Sequence, residues 1–191
     1  MDFSLKVPTS QAWLDTVLAD FDTFLADHAR CEKKASGMAM SMISHYPDRP
    51  ELVTNMLNLA IEELSHFRDV MRLILERDLQ PSADQKDEYV NRLHQAMDQG
   101  KEAYLLDRLL IASIVEARGA ERFGMIAGEV EEPRLKKFYQ AITDSEARHY
   151  QMFLDLAELY FPAERITPRL EQLLEIEADI IRTLPMKPAL H

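Results

Sequence analysis

Apolar residues recur along most of this chain at steps of three and four, the period of one helix face. From Leu52 one stripe runs through Met56, Leu59, Glu63, His66, Val70 and Ile74. From Leu135 another runs through Phe138, Ile142, Glu146, His149, Phe153 and Leu156. Phe21, Leu25, His28, Glu32, Ala35 and Ala39 form a third. Leu105, Leu109, Ser113, Glu116, Ala120 and Phe123 form a fourth. Runs of β-branched residues bounded by turn signals are few, and there are only five glycines. The pattern therefore predicts an all-α protein.

Breaks in the periodicity divide the stripes into elements. Thr9 or Ser10 is expected to cap a helix spanning about 10–45. The loop Tyr46-Pro47-Asp48-Arg49-Pro50 ends it, and Asp48 is expected to cap a second helix over about 49–78. So short a loop predicts an antiparallel pair. The connection from Gln80 to Gly100 is expected to hold a short amphipathic helix, about 83–97, capped by Ser82. Gly128 and the acidic turn to Pro133 separate helices expected over about 101–127 and 133–160. A last helix is expected over about 167–184, started by Thr167-Pro168. Two helical hairpins joined by a long connection predict a ferritin-like four-helix bundle with a short crossover helix and an extra C-terminal helix. The chain is read as a single domain spanning 1–191.

Each of the four stripes carries a glutamate, and two carry Glu-x-x-His. A carboxylate on a core face is costly unless something pairs with it. Three residues is nearly one turn, so Glu63 and His66 share a face, as do Glu146 and His149. The order Glu32, Glu63/His66, Glu116, Glu146/His149 is the ligand order of a carboxylate-bridged di-iron or di-manganese bundle. The interval from Glu32 to Glu116 is 84 residues and that from His66 to His149 is 83, which points to a duplicated hairpin. Six ligands for two metals leave coordination positions open. Two divalent ions would balance four carboxylates, so the reduced site can sit in a core.

Other residues read as more ordinary. His28 lies one turn before Glu32 and reads as a core or supporting histidine. Ser36 and Ser113 lie about a turn from a glutamate ligand and can donate a hydrogen bond to a group on the metals, although small residues also let helices approach. Tyr139, Tyr150 and Tyr160 read as packing residues, Cys31 as a small buried one, and His45 and His94 as surface residues.

Composition narrows the setting. The net charge of −11 argues against non-specific nucleic-acid binding but leaves room for a local basic rim. Lys33, Lys34, Arg49, Arg134, Lys136 and Lys137 are candidates for it. One cysteine excludes an internal disulfide. No apolar run is long enough to span a bilayer and none follows a basic start, so a cytoplasmic protein is expected.

The words around the ligands narrow it further. His28-Ala29-Arg30-Cys31-Glu32-Lys33-Lys34-Ala35, Glu62-Glu63-Leu64-Ser65-His66-Phe67, Ile114-Val115-Glu116-Ala117-Arg118 with Glu121-Arg122-Phe123, and Phe138-Tyr139 followed by Ser145-Glu146-Ala147-Arg148-His149-Tyr150 resemble the corresponding segments of tRNA hydroxylases acting on 2-methylthio-N6-isopentenyladenosine. The resemblance covers roughly Ala26 to Glu158. It implies a non-haem di-iron monooxygenase with metal ligands Glu32, Glu63, His66, Glu116, Glu146 and His149. It implies a tRNA substrate whose modified adenosine lies next to the anticodon, hydroxylated on an allylic methyl of its isopentenyl group. It also implies dioxygen as co-substrate and two electrons from a reductase or ferredoxin. Two other functions are open on the residues alone: a ferritin-like iron oxidase or storage protein, and a metal-free helical interaction module.

Overall fold

The computed structural model describes residues 1–191 and contains seven helices and no strands: α1 (Gln11–Ala19), α2 (Phe21–His45), α3 (Pro50–Glu76), α4 (Glu88–Gln95), α5 (Lys101–Glu129), α6 (Pro133–Tyr160) and α7 (Ala163–Thr183). The chain forms two compact units. One, the α2–α3 unit, comprises residues 15–85 and 187–190; the other, the α5–α6 unit, comprises 1–14, 86–186 and His191.

In the α2–α3 unit, the two long helices pack along their length with Leu25, Ala39, Met56, Leu59 and Val70 buried between and around them. Ser36 Oγ donates to the carbonyl of Ala60 at 2.8 Å and ties the pair at mid-length. In the α5–α6 unit the equivalent brace is Ser113, which donates to the Tyr150 carbonyl at 2.9 Å. There α7 packs on α4, α5 and α6.

Several element boundaries differ from the sequence reading, each for a local reason. The helix expected over 10–45 is two helices, because the Asp20 side chain caps α2 by accepting from the Thr23 N–H at 3.2 Å. Ser10, expected as a cap, does receive the Trp13 N–H at 3.3 Å. Asp48 does not cap α3; Arg49 stands at that position and makes no side-chain capping bond, and Pro50 opens the first turn. The short helix is Glu88–Gln95 rather than 83–97, and its cap is Asp87, which accepts from the Val90 N–H at 3.0 Å. Ser82 is occupied elsewhere, accepting from Arg30 Nη1 at 2.5 Å. Asp84 and Gln85 are likewise held by Lys33 at 2.6 Å and Lys34 at 2.5 Å, so this stretch trades helix for bonds to α2. Gly128 lies inside α5, which runs on to Glu129. The last helix starts at Ala163, not at Thr167, and carries Pro168 within it. Gly100 has φ +103°, a left-handed conformation that suits glycine, immediately before α5.

The rotation of α5 about its axis is fixed by a buried charge cluster. Arg118 and Glu177 are both fully buried. The guanidinium donates to Glu177 Oε1 from Nε at 2.9 Å and from Nη2 at 2.7 Å. Nη1 reaches Thr9 Oγ1 at 3.1 Å and Glu121 Oε2 at 2.5 Å, and Nη2 also reaches the Val7 carbonyl at 2.8 Å. Tyr89 Oη adds a bond to Glu177 Oε1 at 3.1 Å. Arg122 lies over the Trp13 ring at 4.8 Å. Arg118 comes two residues after Glu116, on the opposite side of the helix. Anchoring Arg118 to α7 therefore sets the direction in which Glu116 points. Replacing Glu177 by Ala takes away the fully buried carboxylate opposite this guanidinium and leaves the half-buried Glu121 as its one remaining anion, and urea unfolding is expected to show a loss of about 3–5 kcal/mol. A change under 1 kcal/mol, the scale of an exposed pair, would contradict that role.

Candidate metal centre

In the α2–α3 unit, Glu32 comes from α2, and Glu63 and His66 come from α3. Glu32 is 3 % and Glu63 1 % exposed. Nδ1 of His66 faces both carboxylates, 3.5 Å from Glu32 Oε2 and 3.4 Å from Glu63 Oε2. The other oxygen of Glu32 lies 2.6 Å from Nε2 of His28, which is fully buried. His28 is thus a supporting residue that fixes the Glu32 carboxylate.

These groups shift one another's protonation. Burial alone would raise the Glu32 carboxyl, but its hydrogen bonds with Glu63, His28 and His66 outweigh burial and hold it well below the usual carboxylate range. Burial pulls the His66 imidazole down, while the Glu32 and Glu63 carboxylates beside it prevail and lift it to about 10. A protonated His66 thereby partners the two carboxylates.

In the α5–α6 unit, Glu116 comes from α5, and Glu146 and His149 from α6. They are 5 %, 6 % and 4 % exposed. Nδ1 of His149 lies 3.6 Å from Glu116 Oε2 and 3.9 Å from Glu146 Oε1. Its other nitrogen, Nε2, is 3.4 Å from Ser145 Oγ, which in turn receives Arg148 Nη2 at 3.2 Å. On α5, Gly119 leaves room for Glu146: a Cβ there would stand 2.9 Å from Glu146 Oε2.

The six sequence-predicted ligands thus fall into two like sets, each of two carboxylates and one imidazole. Hard oxygen donors with imidazole suit iron or manganese, and in each set Nδ1 of the histidine is the nitrogen turned toward the carboxylates. The residues fit such ions.

The remaining candidates have other duties. Ser36 and Ser113 brace helix pairs through backbone carbonyls rather than facing the carboxylates. Tyr139 is buried and stacks on Phe123 at 5.8 Å, and Tyr150 Oη donates to Asp2 at 2.8 Å. Cys31 is half-buried, not fully buried, with Sγ 3.9 Å from Asp27 Oδ2. His45 and His94 are exposed. Lys33 and Lys34 hold the segment after α3, Lys136 reaches the Gly128 carbonyl at 3.4 Å, and Lys137 is exposed. Sequence reasoning missed Gly119 and Ser145. The only trace of either was its spacing, Gly119 three residues after Glu116 and Ser145 four before His149.

Long helical hairpins that bury Glu opposite Glu-x-x-His define the class: a ferritin-like carboxylate–histidine protein. A solved structure described as Protein 43 with aldehyde deformylating oxygenase activity, from Synechococcus, matches with a TM-score of 0.94 at 33 % identity, over 100 % of this chain and 96 % of that one. The fold class is accordingly the ferritin-like bundle with a crossover helix and an added C-terminal helix. The family model for tRNA-(MS2IO6A)-hydroxylase (MiaE) matches residues 1–191. A tRNA 2-(methylsulfanyl)-N(6)-isopentenyladenosine(37) hydroxylase from Pseudomonas putida is 34 % identical over all of this chain and 93 % of its own length. One of the same description from Salmonella typhimurium is 27 % identical, over 93 % of this chain and 83 % of its own length. The chain belongs to the MiaE family of tRNA hydroxylases, and it is an enzyme of the hydroxylase type.

The protonation pattern predicts a pH dependence for the metal-free protein. The raised folded pKa of His66 gives stability that is full below about 6.5 and lost as pH rises through about 10. The depressed carboxyl of Glu32 gives stability present above about 4.5 and lost as pH falls toward its folded value. The two effects are jointly complete between those limits. Urea unfolding of metal-free His66→Ala is expected to show a deficit against the wild type at pH 6 that shrinks by pH 10.5. An equal deficit at both pH values would contradict the assignment.

Proposed function

We propose that this enzyme hydroxylates the isopentenyl group of 2-methylthio-N6-isopentenyladenosine in tRNA, next to the anticodon, and that Glu32, Glu63, His66, Glu116, Glu146 and His149 together hold two iron ions for that reaction. The observation that carries this reading is the doubled donor set, two buried carboxylates and an imidazole in each helical unit, in a chain that matches a hydroxylase family from end to end. The relatives' descriptions support the substrate. No helix is long and apolar enough to cross a membrane. A tRNA substrate is consistent with an enzyme of the cytoplasm.

When bound, the iron pair supplies the two-electron chemistry that splits dioxygen, one oxygen atom going to the product and one to water, with two electrons from a reductase or ferredoxin. The chain's own residues do the rest. The four carboxylates balance the charge of two divalent ions, so the centre needs no further anion to be buried. His28 holds the far oxygen of Glu32, and Ser145 holds the outer nitrogen of His149, which fixes the direction of each ligand. Fully buried apolar neighbours such as Met56, Val70, Leu109 and Phe153 exclude water from around each set. A dry, apolar surrounding also suits the isopentenyl tail, which is the only part of a tRNA small enough to enter a helical bundle. The rest of the tRNA docks outside through its phosphates. Of the lysines considered for that contact, Lys33 and Lys34 are tied to the segment after α3, which leaves the exposed Lys136 and Lys137 as candidates.

Nucleoside mass spectrometry of tRNA from cells with and without the gene tests the substrate. The hydroxylated nucleoside is expected only with the protein, and its non-hydroxylated precursor is expected to accumulate without it. Unchanged tRNA nucleosides together with turnover of a long-chain aldehyde would favour a reaction like that named for the Synechococcus protein. Rapid mineralisation of ferrous iron by a cage-sized assembly would favour iron storage.

A second measurement tests the metal. Purified protein is expected to carry about two irons per chain, and Glu116→Ala is expected to lose much of that iron while keeping its helical circular dichroism. Unchanged iron content in Glu116→Ala would remove that residue from the ligand set.

A further inference from the structure

The two donor sets match in their ligands but not in what surrounds the carboxylates. Three residues after Glu32 the chain has Ala35; three residues after Glu116 it has Gly119. On α5 that difference is felt by a ligand from the neighbouring helix. A Cβ built on Gly119 would stand 2.9 Å from Oε2 of Glu146, 3.7 Å from its Cδ and 3.8 Å from its Cγ. The first of these is closer than real Cβ atoms come to any oxygen, so the carboxylate would have to move. Because it is the tip of a flexible side chain, it can move without disturbing the helix pair.

Gly119 has no backbone reason to be glycine. It sits inside α5 with helical geometry, and a positive φ occurs only at Gly100 among the glycines. In a helix interior, glycine is less favourable than alanine. Packing does not demand a glycine at every such place either: at Gly124, about one and a half turns further along α5, an added Cβ would meet Thr143 at ordinary distances, Cγ2 at 3.5 Å and Oγ1 at 3.9 Å. What Gly119 provides is space for one carboxylate oxygen.

We infer that Gly119 is a positioning residue for the metal centre: its missing Cβ seats the carboxylate of Glu146 beside Glu116 and His149, at a cost in intrinsic helix stability. This rests on the di-iron reading of the six ligands and deepens it. Alanine at 119 would push Oε2 of Glu146 off its seat and weaken iron binding, while the metal-free fold gains from the better helix former. A residue that served only packing would move both quantities in the same direction.

The test is anaerobic equilibrium dialysis of metal-free protein against ferrous iron, paired with thermal melting of the same metal-free samples. Wild type and Gly124→Ala are expected to bind two equivalents with similar affinity. Gly119→Ala is expected to lose about tenfold or more in affinity for at least one equivalent, with a metal-free melting temperature equal to or above that of the wild type. If Gly119→Ala binds iron like the wild type, the positioning role is overturned while the di-iron reading stands. If it fails to fold, or loses stability in step with affinity, the glycine serves packing and the inference is likewise overturned. Failure of the wild type itself to take up ferrous iron would remove the di-iron reading, and this inference with it.

Discussion

A carboxylate removed from water must be given a positive partner, or it takes up a proton or unfolds its surroundings. In each of its two helical units this chain buries a pair of carboxylates beside one histidine. Much of the architecture follows from meeting that demand. Helices of 25 to 29 residues supply faces long enough to surround the charged turn with apolar residues on both sides. Ser36 and Ser113 lock the helix pairs at mid-length. In the α5–α6 unit, the Arg118–Glu177 pair fixes the rotation of the helix that carries Glu116. Without metal, a proton on His66 can serve as the positive partner. A divalent cation can take that place, and its binding then displaces the proton.

The same demand made the proposed ligands stand out in the sequence. Glu32, Glu63, Glu116 and Glu146 stand out because each interrupts an apolar stripe at helical spacing, and two of them have a histidine one turn later. Long-range periodicity was enough to find the hairpins. Local competition was not visible in it. The Asp20 side chain that splits the first helix, and the Asp87 cap that shortens α4, depend on which of several polar residues wins the first N–H groups. Lys33 and Lys34 read as a basic rim because a sequence does not say that Asp84 and Gln85 fold back onto them. Pro168 reads as a helix start, yet Pro162 already occupies the position before α7.

The supporting residues were the least legible part of the site. His28 reads from its spacing as a core or supporting histidine, but its 2.6 Å contact with the Glu32 carboxylate is a matter of rotamer. Gly119 carries no side chain to attract notice, and its significance lies in an atom it lacks. Fold class and ligand type thus come from periodicity, whereas the direction of each ligand comes from contacts between residues distant in sequence. That division matters for function. The ferritin-like fold hosts several chemistries, and the relatives named here include both tRNA hydroxylases and a protein with aldehyde deformylating oxygenase activity. The six proposed ligands alone do not separate them; the family match along the whole chain supports the tRNA substrate.

The most direct measurement of the central claim is a single turnover under isotopically labelled dioxygen. Purified protein loaded with ferrous iron would be mixed with tRNA carrying 2-methylthio-N6-isopentenyladenosine and exposed to the heavy-oxygen gas. The tRNA would then be digested to nucleosides for mass spectrometry. The account predicts one heavy oxygen atom in the isopentenyl group, and none when iron is withheld or Glu116 is replaced by Ala. Recovery of the nucleoside unchanged, or with its new oxygen drawn from water, would contradict it.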